Sequence, residues 1–264
     1  MPTLRNISER LIAALTFFTR LPLVGKKGVE AEAYRHVVPL WPLMGWLTGG
    51  VIMAVYLLAG LAGLDKTVSV ILAILSRVIL TGALHEDGLA DFCDGFGGGR
   101  TRKRTLEIMK DSHIGTYGVL GLVGYSLLTV HVLASLMNQG FSPFLFVIAD
   151  VACKFCASTI VWILPYARSS EEAKNGFEYS ATSVGEKVFS LIVGVSPMVV
   201  AGFFIPDIPQ LHILICFAAS CAVCALMFLF MHRRIKGYTG DCCGATFLLA
   251  ELMFYVCLTI LVSK

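Results

Sequence analysis

Three aspartates with regular spacing are the residues of this chain best suited to chemistry. Asp87, Asp91 and Asp94 stand at positions i, i+4 and i+7, which on a helix places their carboxylates along one stripe. Because like charges in such a row repel one another, the arrangement is typical of a segment that binds a cation. Carboxylate ligands favour Mg²⁺, with Mn²⁺ as the alternative ion, and protein-bound Mg²⁺ usually also contacts a substrate phosphate. The spacing therefore predicts a metal site.

A glycine cluster and basic residues follow these aspartates. Residues 95–99 include four glycines, and several arginines come directly afterwards. Glycine lets backbone N–H groups approach a phosphate closely, and arginine binds phosphate through its planar guanidinium group. We therefore predict a phosphate-binding loop that contains Gly97, Gly98, Gly99, Arg100 and Arg104.

A second polar group, Lys110-Asp111-Ser112, lies between the same two apolar stretches. A solvated connector is the alternative for the whole segment, because a single surface charge is usually only solvated. The regular acidic spacing, the glycine cluster and this second group together favour metal and phosphate binding. Asp241, which follows Gly240 near the last apolar stretch, is either a further metal ligand or the cap of the last helix.

Composition places the chain in a membrane. Of its 264 residues, 56% are hydrophobic and 15% are charged, and the mean hydropathy is +0.77, whereas soluble domains carry about 25% charged residues. The net charge of +3 gives no indication of a nucleic-acid partner. With no visible repeat or separate soluble part, the chain is predicted to be an all-α, polytopic helical bundle, a single integral membrane domain over residues 1–264.

Apolar stretches long enough for a membrane helix occur seven times. An eighth, shorter segment at residues 7–23 is amphipathic, so we place it at the membrane interface or in a re-entrant position. The predicted spans cover about residues 37–63, 66–84, 114–137, 141–164, 188–205, 210–231 and 244–262.

Positive charge is concentrated at one face of this bundle. The N-terminal segment and the loops 85–113, 165–187 and 232–243 hold 17 of the 21 Lys and Arg residues. Because positively charged loops remain in the cytoplasm, we predict a multi-pass protein of the cytoplasmic (inner) membrane. Its acidic segment is then cytoplasmic and its C-terminus external.

Three ionisable residues, Arg77, Asp150 and Lys154, lie inside predicted spans. Such residues are costly in lipid and usually face a polar cavity or a partner. Asp150 and Lys154 stand at i and i+4 and either neutralise each other or line the floor of the site. We predict that Arg77 and Lys154 contact substrate phosphate in one cytoplasm-facing pocket with the acidic segment and Asp241.

These motifs resemble the cobalamin synthase family, the adenosylcobinamide-GDP ribazoletransferases, over nearly the full length. The central pattern is His85-x-Asp87-Gly88-Leu89-Ala90-Asp91-x-x-Asp94-Gly95, followed by Leu106-Glu107-Ile108-Met109-Lys110-Asp111-Ser112. His113 and Lys154 stand where the family pattern has arginine. Other matching groups are Phe17-Phe18-Thr19-Arg20-Leu21-Pro22, Pro39-Leu40-x-Pro42, Leu164-Pro165-Tyr166-Ala167-Arg168 and Gly240-Asp241-x-x-Gly244-Ala245.

The resemblance implies a Mg²⁺-dependent phosphotransferase that completes the cobalamin nucleotide loop. α-Ribazole, or its 5′-phosphate, would attack the activated phosphate of adenosylcobinamide-GDP, forming adenosylcobalamin, or its phosphate, and releasing GMP. Metal and cationic side chains would neutralise the developing charge, while Asp111 or an aspartate of the triplet could act as the base. Membrane lipid, a second copy of the chain and other cobalamin-assembly enzymes are the further partners expected.

On this basis each candidate residue is predicted to have one of three roles. The predicted catalytic residues are Asp111, Lys110 and His85. The predicted substrate- or phosphate-binding residues are Gly97, Gly98, Gly99, Arg100, Arg104, Ser112, Arg77 and Lys154. The predicted metal ligands are Asp87, Asp91, Asp94 and Asp241.

Two other classes of protein remain as alternatives. A lipid enzyme of the CDP-alcohol phosphotransferase type also uses aspartates at helical spacing, but its Asp, Gly and Arg elements come in a different order from those found here. A transporter would place broken helices and charges near mid-membrane, often in two related halves. Here the acids cluster in one segment and no repeat is visible, which favours the phosphotransferase.

Overall fold

The computed structural model describes residues 4–22, 29–168, 179–204 and 209–263, and these form a helical bundle. Within these ranges the only extended pairing is an isolated bridge between Tyr166 and Tyr238. The helices are α1 (Leu4–Phe18), α2 (Ala31–Tyr34), α3 (Trp41–Leu61, preceded by a 3₁₀ turn at Val38–Leu40), α4 (Lys66–Thr81), α5 (Leu84–Gly98), α6 (Arg102–Ile108), α7 (Thr116–Asn138), α8 (Leu145–Ser158), α9 (Ile160–Ile163), α10 (Val184–Phe204), α11 (Gln210–Ile235) and α12 (Gly240–Val262).

Six helical segments of the described chain are long and apolar enough to cross a membrane, and a bent pair of helices brings the number to seven if it counts as one span. This confirms the predicted polytopic bundle. The N-terminal helix α1 has 15 residues, fewer than the roughly 20 that a span needs. The six segments are Val38–Leu61, Thr116–Asn138, Leu145–Ile163, Val184–Phe203, Gln210–Ile235 and Gly240–Val262.

The bent pair consists of α4 and α5, which meet at 89°. Gly82 and Ala83 adopt left-handed backbone angles, with φ of 64° and 59°, so the helix cannot continue through them. The Ala83 N–H donates to the Val78 carbonyl at 2.8 Å and closes α4. The chain then turns at a right angle, and α5 packs on α12 and α7. The bend thereby directs the acidic segment away from the axis of α4.

The predicted glycine loop at residues 95–99 is wrong, because α5 continues through Gly98. The Gly99 N–H donates to the Gly95 carbonyl at 2.9 Å, so this amide is already used within the chain. The glycines serve close packing instead: a Cβ at Gly97 would lie 2.6 Å from the Tyr117 ring. Composition alone indicated a loop because glycine is a weak helix former, while the packing partners come from distant parts of the sequence.

Helix α8 lies at the centre of the bundle and contacts α3, α10, α11 and α12. All of its residues from Leu145 to Ser158 are buried. Its approach to α3 depends on two glycines, since a Cβ at Gly45 or Gly49 would lie 2.8 Å from the Cα of Val151 or Val147. Small residues four apart allow such close helix packing in membranes.

Gly49→Ala is expected to destabilise the protein by about 1–3 kcal/mol, because the new methyl group would push α3 away from the α8 backbone. The neighbouring Gly50→Ala is the matched control, since nothing lies within 4 Å of a Cβ there, and it should be neutral or slightly stabilising. Thermal unfolding of both variants in detergent measures the difference. Equal midpoints for the two variants would contradict this account of the α3–α8 contact.

Candidate active site

A cavity lies where α5, α12 and the first turn of α3 meet, and it encloses about 880 Å³, part of it open to solvent. Its walls come from segments far apart in the sequence. They include Phe18, Trp41, His85, Asp87, Arg168 and Asp241.

Asp87 and Asp241 line this cavity together. The helices that carry them touch through Gly88, where a Cβ would lie 2.9 Å from the Asp241 carbonyl oxygen. Thr239, not Asp241, caps α12, because its hydroxyl accepts from the Cys242 N–H. The alternative that the Asp241 side chain caps the last helix is therefore wrong. Its carboxylate accepts a hydrogen bond from the Thr239 hydroxyl at 3.3 Å.

The three aspartates of α5 do not converge on one point. Asp94 is buried, and its carboxylate accepts from the Gly115 and Gly118 N–H groups at 2.7 and 2.9 Å, which caps the start of α7. Seven residues of helix span about 10 Å, so Asp87 reaches the cavity while Asp94 faces α7. Asp91, one turn from Asp87, is half-buried.

The carboxylates at the cavity provide some of the ligands that a hard divalent cation needs. Within the described ranges no three His, Cys, Asp or Glu side chains converge as a ready metal site. Asp87 and Asp241 supply carboxylate oxygens at one cavity, and Mg²⁺ bound by one or two carboxylates normally completes its shell with water and substrate phosphate. The metal-ligand roles of Asp87, Asp91 and Asp241 therefore stay predictions, whereas both oxygens of Asp94 are engaged by backbone amides.

His85 lies in the wall of the cavity and is only 2% exposed. Its ring stacks on Trp41 at 5.7 Å between centroids and meets Phe247 edge-on at 4.9 Å. Neither ring nitrogen has a hydrogen-bond partner in the part of the chain that the structure describes. Gly244 allows the close approach, since a Cβ there would lie 3.1 Å from the His85 carbonyl oxygen.

Arg168 contributes a buried cation to the cavity, whereas the sequence favoured a solvated or lipid-headgroup role for it over contact with a phosphate. Its Nη2 donates to the Leu106 carbonyl at 3.2 Å. The segment before it is fixed by the Ala167 N–H, which donates to the Tyr238 carbonyl at 2.8 Å, and by the Tyr238 N–H, which donates to the Pro165 carbonyl at 3.0 Å. The signal that could have indicated Arg168 is its place in a family motif.

Two tyrosines complete this wall. Tyr166 and Tyr179 both line the cavity. Burial raises the pKa of Tyr166, and it raises the pKa of Tyr179 well above the usual phenol range. Both hydroxyl groups therefore stay protonated at neutral pH and can donate hydrogen bonds to a ligand.

The basic residues after α5 lie outside the cavity. Arg100 and Arg104 are exposed, and Arg104 is 3.4 Å from Glu107 on the same helix. Arg102 is structural, since its guanidinium donates to the carbonyls of Ile235 and Ala167 at 2.8 and 2.9 Å. Arg234 donates to the Gly99 carbonyl at 2.7 Å. These contacts hold α5 and α6 against the segment that follows α9 and against the C-terminal end of α11.

The second polar group lies on an exposed turn between α6 and α7. Lys110, Asp111 and Ser112 are all exposed, and none of them lines the cavity. The Asp111 carboxylate is 2.7 Å from Nδ1 of His113, and this hydrogen bond lowers the pKa of Asp111. A carboxylate with a lowered pKa is a weaker proton acceptor, so the geometry gives no support to Asp111 as the base.

Arg77 and Lys154 lie apart from the cavity, contrary to the predicted common pocket. Both are buried and paired within a buried ion cluster, which comprises Arg77, Asp150, Lys154 and Glu251. Phe247 contacts both this cluster and His85, with Lys154 Nζ 4.6 Å and the His85 ring centre 4.9 Å from the centre of its ring. The charges neutralise one another inside the bundle, so they need no phosphate.

Comparison with known proteins gives a full-length match. The family described as cobalamin-5-phosphate synthase matches residues 10–259. The chain belongs to this family. No solved structure matches it.

Individual members of this family align with nearly the whole length of the chain. The adenosylcobinamide-GDP ribazoletransferase of Shewanella amazonensis is 33% identical over 267 residues, covering 100% of both chains. The protein of that name from Leptospira interrogans is 31% identical, with 98% of each chain covered. Its namesake from Vibrio parahaemolyticus is 33% identical, covering 97% of this chain and 94% of its own.

The motifs by which the chain resembles the cobalamin synthase family meet at the cavity. Phe17 and Phe18 come from the N-terminal motif, His85 and Asp87 from the central one, and Arg168 from the third. Asp241 adds the last motif, and all of them line the same space. The cavity is therefore the candidate active site of this family member.

Proposed function

We propose that this chain transfers the adenosylcobinamide phosphate group of adenosylcobinamide-GDP to α-ribazole or its 5′-phosphate, with release of GMP. The observation that carries the proposal is the meeting of Asp87, Asp241 and Arg168 at one cavity of a chain that belongs to the cobalamin-5-phosphate synthase family. The reaction forms a bond from a ribose hydroxyl to the phosphorus and breaks the bond to the leaving GMP. Its product is adenosylcobalamin or its phosphate, the completed nucleotide loop.

The side chains of the cavity divide the work of phosphoryl transfer. A bound Mg²⁺ would neutralise charge on the pyrophosphate. We assign its binding to Asp87 and Asp241, with Asp91 one turn away. Arg168 is close enough to the same space to pair with a phosphate oxygen, and its contact with Leu106 fixes its direction. The carboxylates and the arginine orient the reacting groups, which is the main contribution a protein makes to this kind of transfer.

The purified protein in detergent tests this function directly. We expect GMP release only when adenosylcobinamide-GDP, α-ribazole or its phosphate, and Mg²⁺ are all present, and chelation should abolish it. Replacing the acceptor with a diacylglycerol or another lipid alcohol should give no GMP, which separates this enzyme from a lipid phosphotransferase. Uptake of labelled substrate into vesicles without GMP release would instead identify a transporter and contradict the proposal.

The cavity is proposed to face the cytoplasm. The loop charge bias supports this orientation, and the family resemblance supports the inner membrane, a second copy of the chain and other cobalamin-assembly enzymes as partners. In a variant whose nine cysteines are replaced, Lys103→Cys should be labelled only from the cytoplasmic side and Ser263→Cys only from outside. The predicted external end, Lys264, lies outside the described residues. Labelling of both positions from the same side would contradict the orientation.

A further inference from the structure

Three aromatic side chains of the cavity form a parallel set. Phe18 and Trp41 stack with an angle of 3° between their planes and 5.5 Å between centroids. Trp41 and His85 continue the set at 17° and 5.7 Å. All three rings line the cavity, with Phe17, Tyr166 and Tyr179 beside them. A surface of this kind suits a flat aromatic ligand, because offset stacking favours parallel rings.

Two of these rings carry buried polar atoms without partners. Trp41 Nε1 and both ring nitrogens of His85 have no hydrogen-bond partner among the described residues. Each of the two side chains is 2% exposed. Buried polar groups in native structures are nearly always hydrogen-bonded, so the unpartnered indole N–H of Trp41 at a cavity wall indicates a ligand that accepts its hydrogen bond.

We propose that the Phe18–Trp41–His85 set binds the bicyclic aromatic base of the acceptor nucleoside, with Trp41 Nε1 donating to its unsubstituted ring nitrogen. This inference rests on the function proposed above. A benzimidazole nucleoside has one free ring nitrogen, which accepts a hydrogen bond, and no ring N–H. The indole N–H only donates, so the two groups are complementary.

The polarity of the wall distinguishes this base from the guanine of the other substrate. Guanine presents several donors and acceptors along its edge, and each would need a partner when buried. Four of the lining residues, Phe17, Phe18, Val38 and Leu84, offer no side-chain hydrogen bonds, and Tyr166 and Tyr179 offer one hydroxyl each. A base with a single acceptor loses least on entering such a site.

The position of His85 on α5 fits the chemistry proposed for the cavity. His85 and Asp87 are two residues apart on the helix, a rise of about 3 Å, and both line the cavity. A base held beside His85 therefore lies in the same cavity as Asp87 and Asp241. The attacking hydroxyl then shares this cavity with the proposed phosphate site.

Trp41→Phe tests the hydrogen bond, since it keeps an aromatic ring and removes the N–H. Trp46→Phe is the matched control on the same helix: Trp46 Nε1 donates to the Ser196 hydroxyl at 3.2 Å, away from the cavity. Calorimetric titration with α-ribazole should show about three- to tenfold weaker binding for Trp41→Phe, the effect of one hydrogen bond. Trp46→Phe should bind α-ribazole as the unmodified protein does.

An indole riboside, which lacks the acceptor nitrogen, makes the test specific. The unmodified protein should prefer α-ribazole over this analogue, and Trp41→Phe should lose that preference. Equal preference in the two proteins would overturn the inference, as would a Trp41→Phe defect confined to the KM for adenosylcobinamide-GDP. Because binding is measured without turnover, Trp41-dependent binding in a protein that releases no GMP would refute the proposed function and leave the base site standing.

Discussion

Asp87→Asn is expected to lower turnover by about two to three orders of magnitude, because it removes a charge from the proposed metal and phosphate site. Asp87 lines the cavity together with Asp241, so the loss should act on chemistry and not on folding. GMP release at saturating substrates, measured across a Mg²⁺ titration, should show a lower kcat and a weaker response to Mg²⁺. The unfolding midpoint should stay close to that of the unmodified protein.

Two other aspartates serve as controls for this variant. Asp65 caps α4 by accepting from the Thr67 and Val68 N–H groups at 2.8 and 3.1 Å, so Asp65→Asn should leave turnover unchanged. Asp94→Ala should lose about 1–2 kcal/mol of stability, because it removes the cap of α7. Near-normal turnover and an unchanged Mg²⁺ response in Asp87→Asn would contradict the assignment of Asp87 to the site.

The contrast between Asp87 and Asp94 shows how far sequence reasoning reaches at this site. Spacing correctly places both carboxylates on one stripe of a helix, since the helical repeat is a property of the local chain. It does not reveal what each turn of that helix meets. Asp87 meets the cavity beside α12, and Asp94 meets the amides of Gly115 and Gly118, and these contacts depend on the tertiary arrangement.

The spans were predictable for a physical reason. A membrane helix must satisfy its backbone internally and present about 20 apolar residues to lipid, so it can be recognised from composition and length alone. The 89° bend before α5 could not be predicted in this way. Alanine rarely adopts a left-handed φ, so nothing in the sequence indicates that Ala83 does so here. Consequently residues 85–113 were predicted as one loop between spans, although the spacing of the aspartates indicated helical turns within it.

The Phe18–Trp41–His85 set was not predicted, because aromatic residues in apolar stretches usually belong to the hydrophobic core. Trp41 and Phe18 stand in segments whose composition explains them fully as packing residues. Their importance appears only when Arg168 and Asp241, which are far apart in sequence, are found at the same cavity. Family motifs contained this information, yet a motif does not state which of its residues face a ligand and which pack.

Removal of Arg77 is expected to have the largest effect on stability. Its Nη1 lies 2.7 Å from Glu251 and 3.3 Å from Asp150, and its Nη2 donates to the Tyr125 hydroxyl at 3.2 Å. The other cation of the buried ion cluster, Lys154, pairs with Asp150 and donates to the Thr48 hydroxyl at 2.6 Å. The pairs join helices α3, α4, α7, α8 and α12 at one point.

Arg77→Met should therefore destabilise the protein by about 3–5 kcal/mol, because it leaves a carboxylate buried without its cation. Lys154→Met should also destabilise the protein. Removing charge from both partners, as in Arg77→Met combined with Glu251→Gln, should recover a large part of the loss. Arg104→Met is the exposed control, and losing its surface pair with Glu107 should change stability by less than about 1 kcal/mol.

The KM for adenosylcobinamide-GDP distinguishes this structural role of Lys154 from the phosphate-binding role predicted from the sequence. A phosphate-binding Lys154 would make Lys154→Met raise the KM for adenosylcobinamide-GDP in protein that is otherwise stable. Because Lys154 pairs with Asp150 and does not line the cavity, we expect the folded fraction of Lys154→Met to keep that KM within about twofold, an interval of less than half a kcal/mol. A large rise in KM with an unchanged unfolding midpoint would return Lys154 to the substrate site and refute the isolation of the buried ion cluster from the cavity.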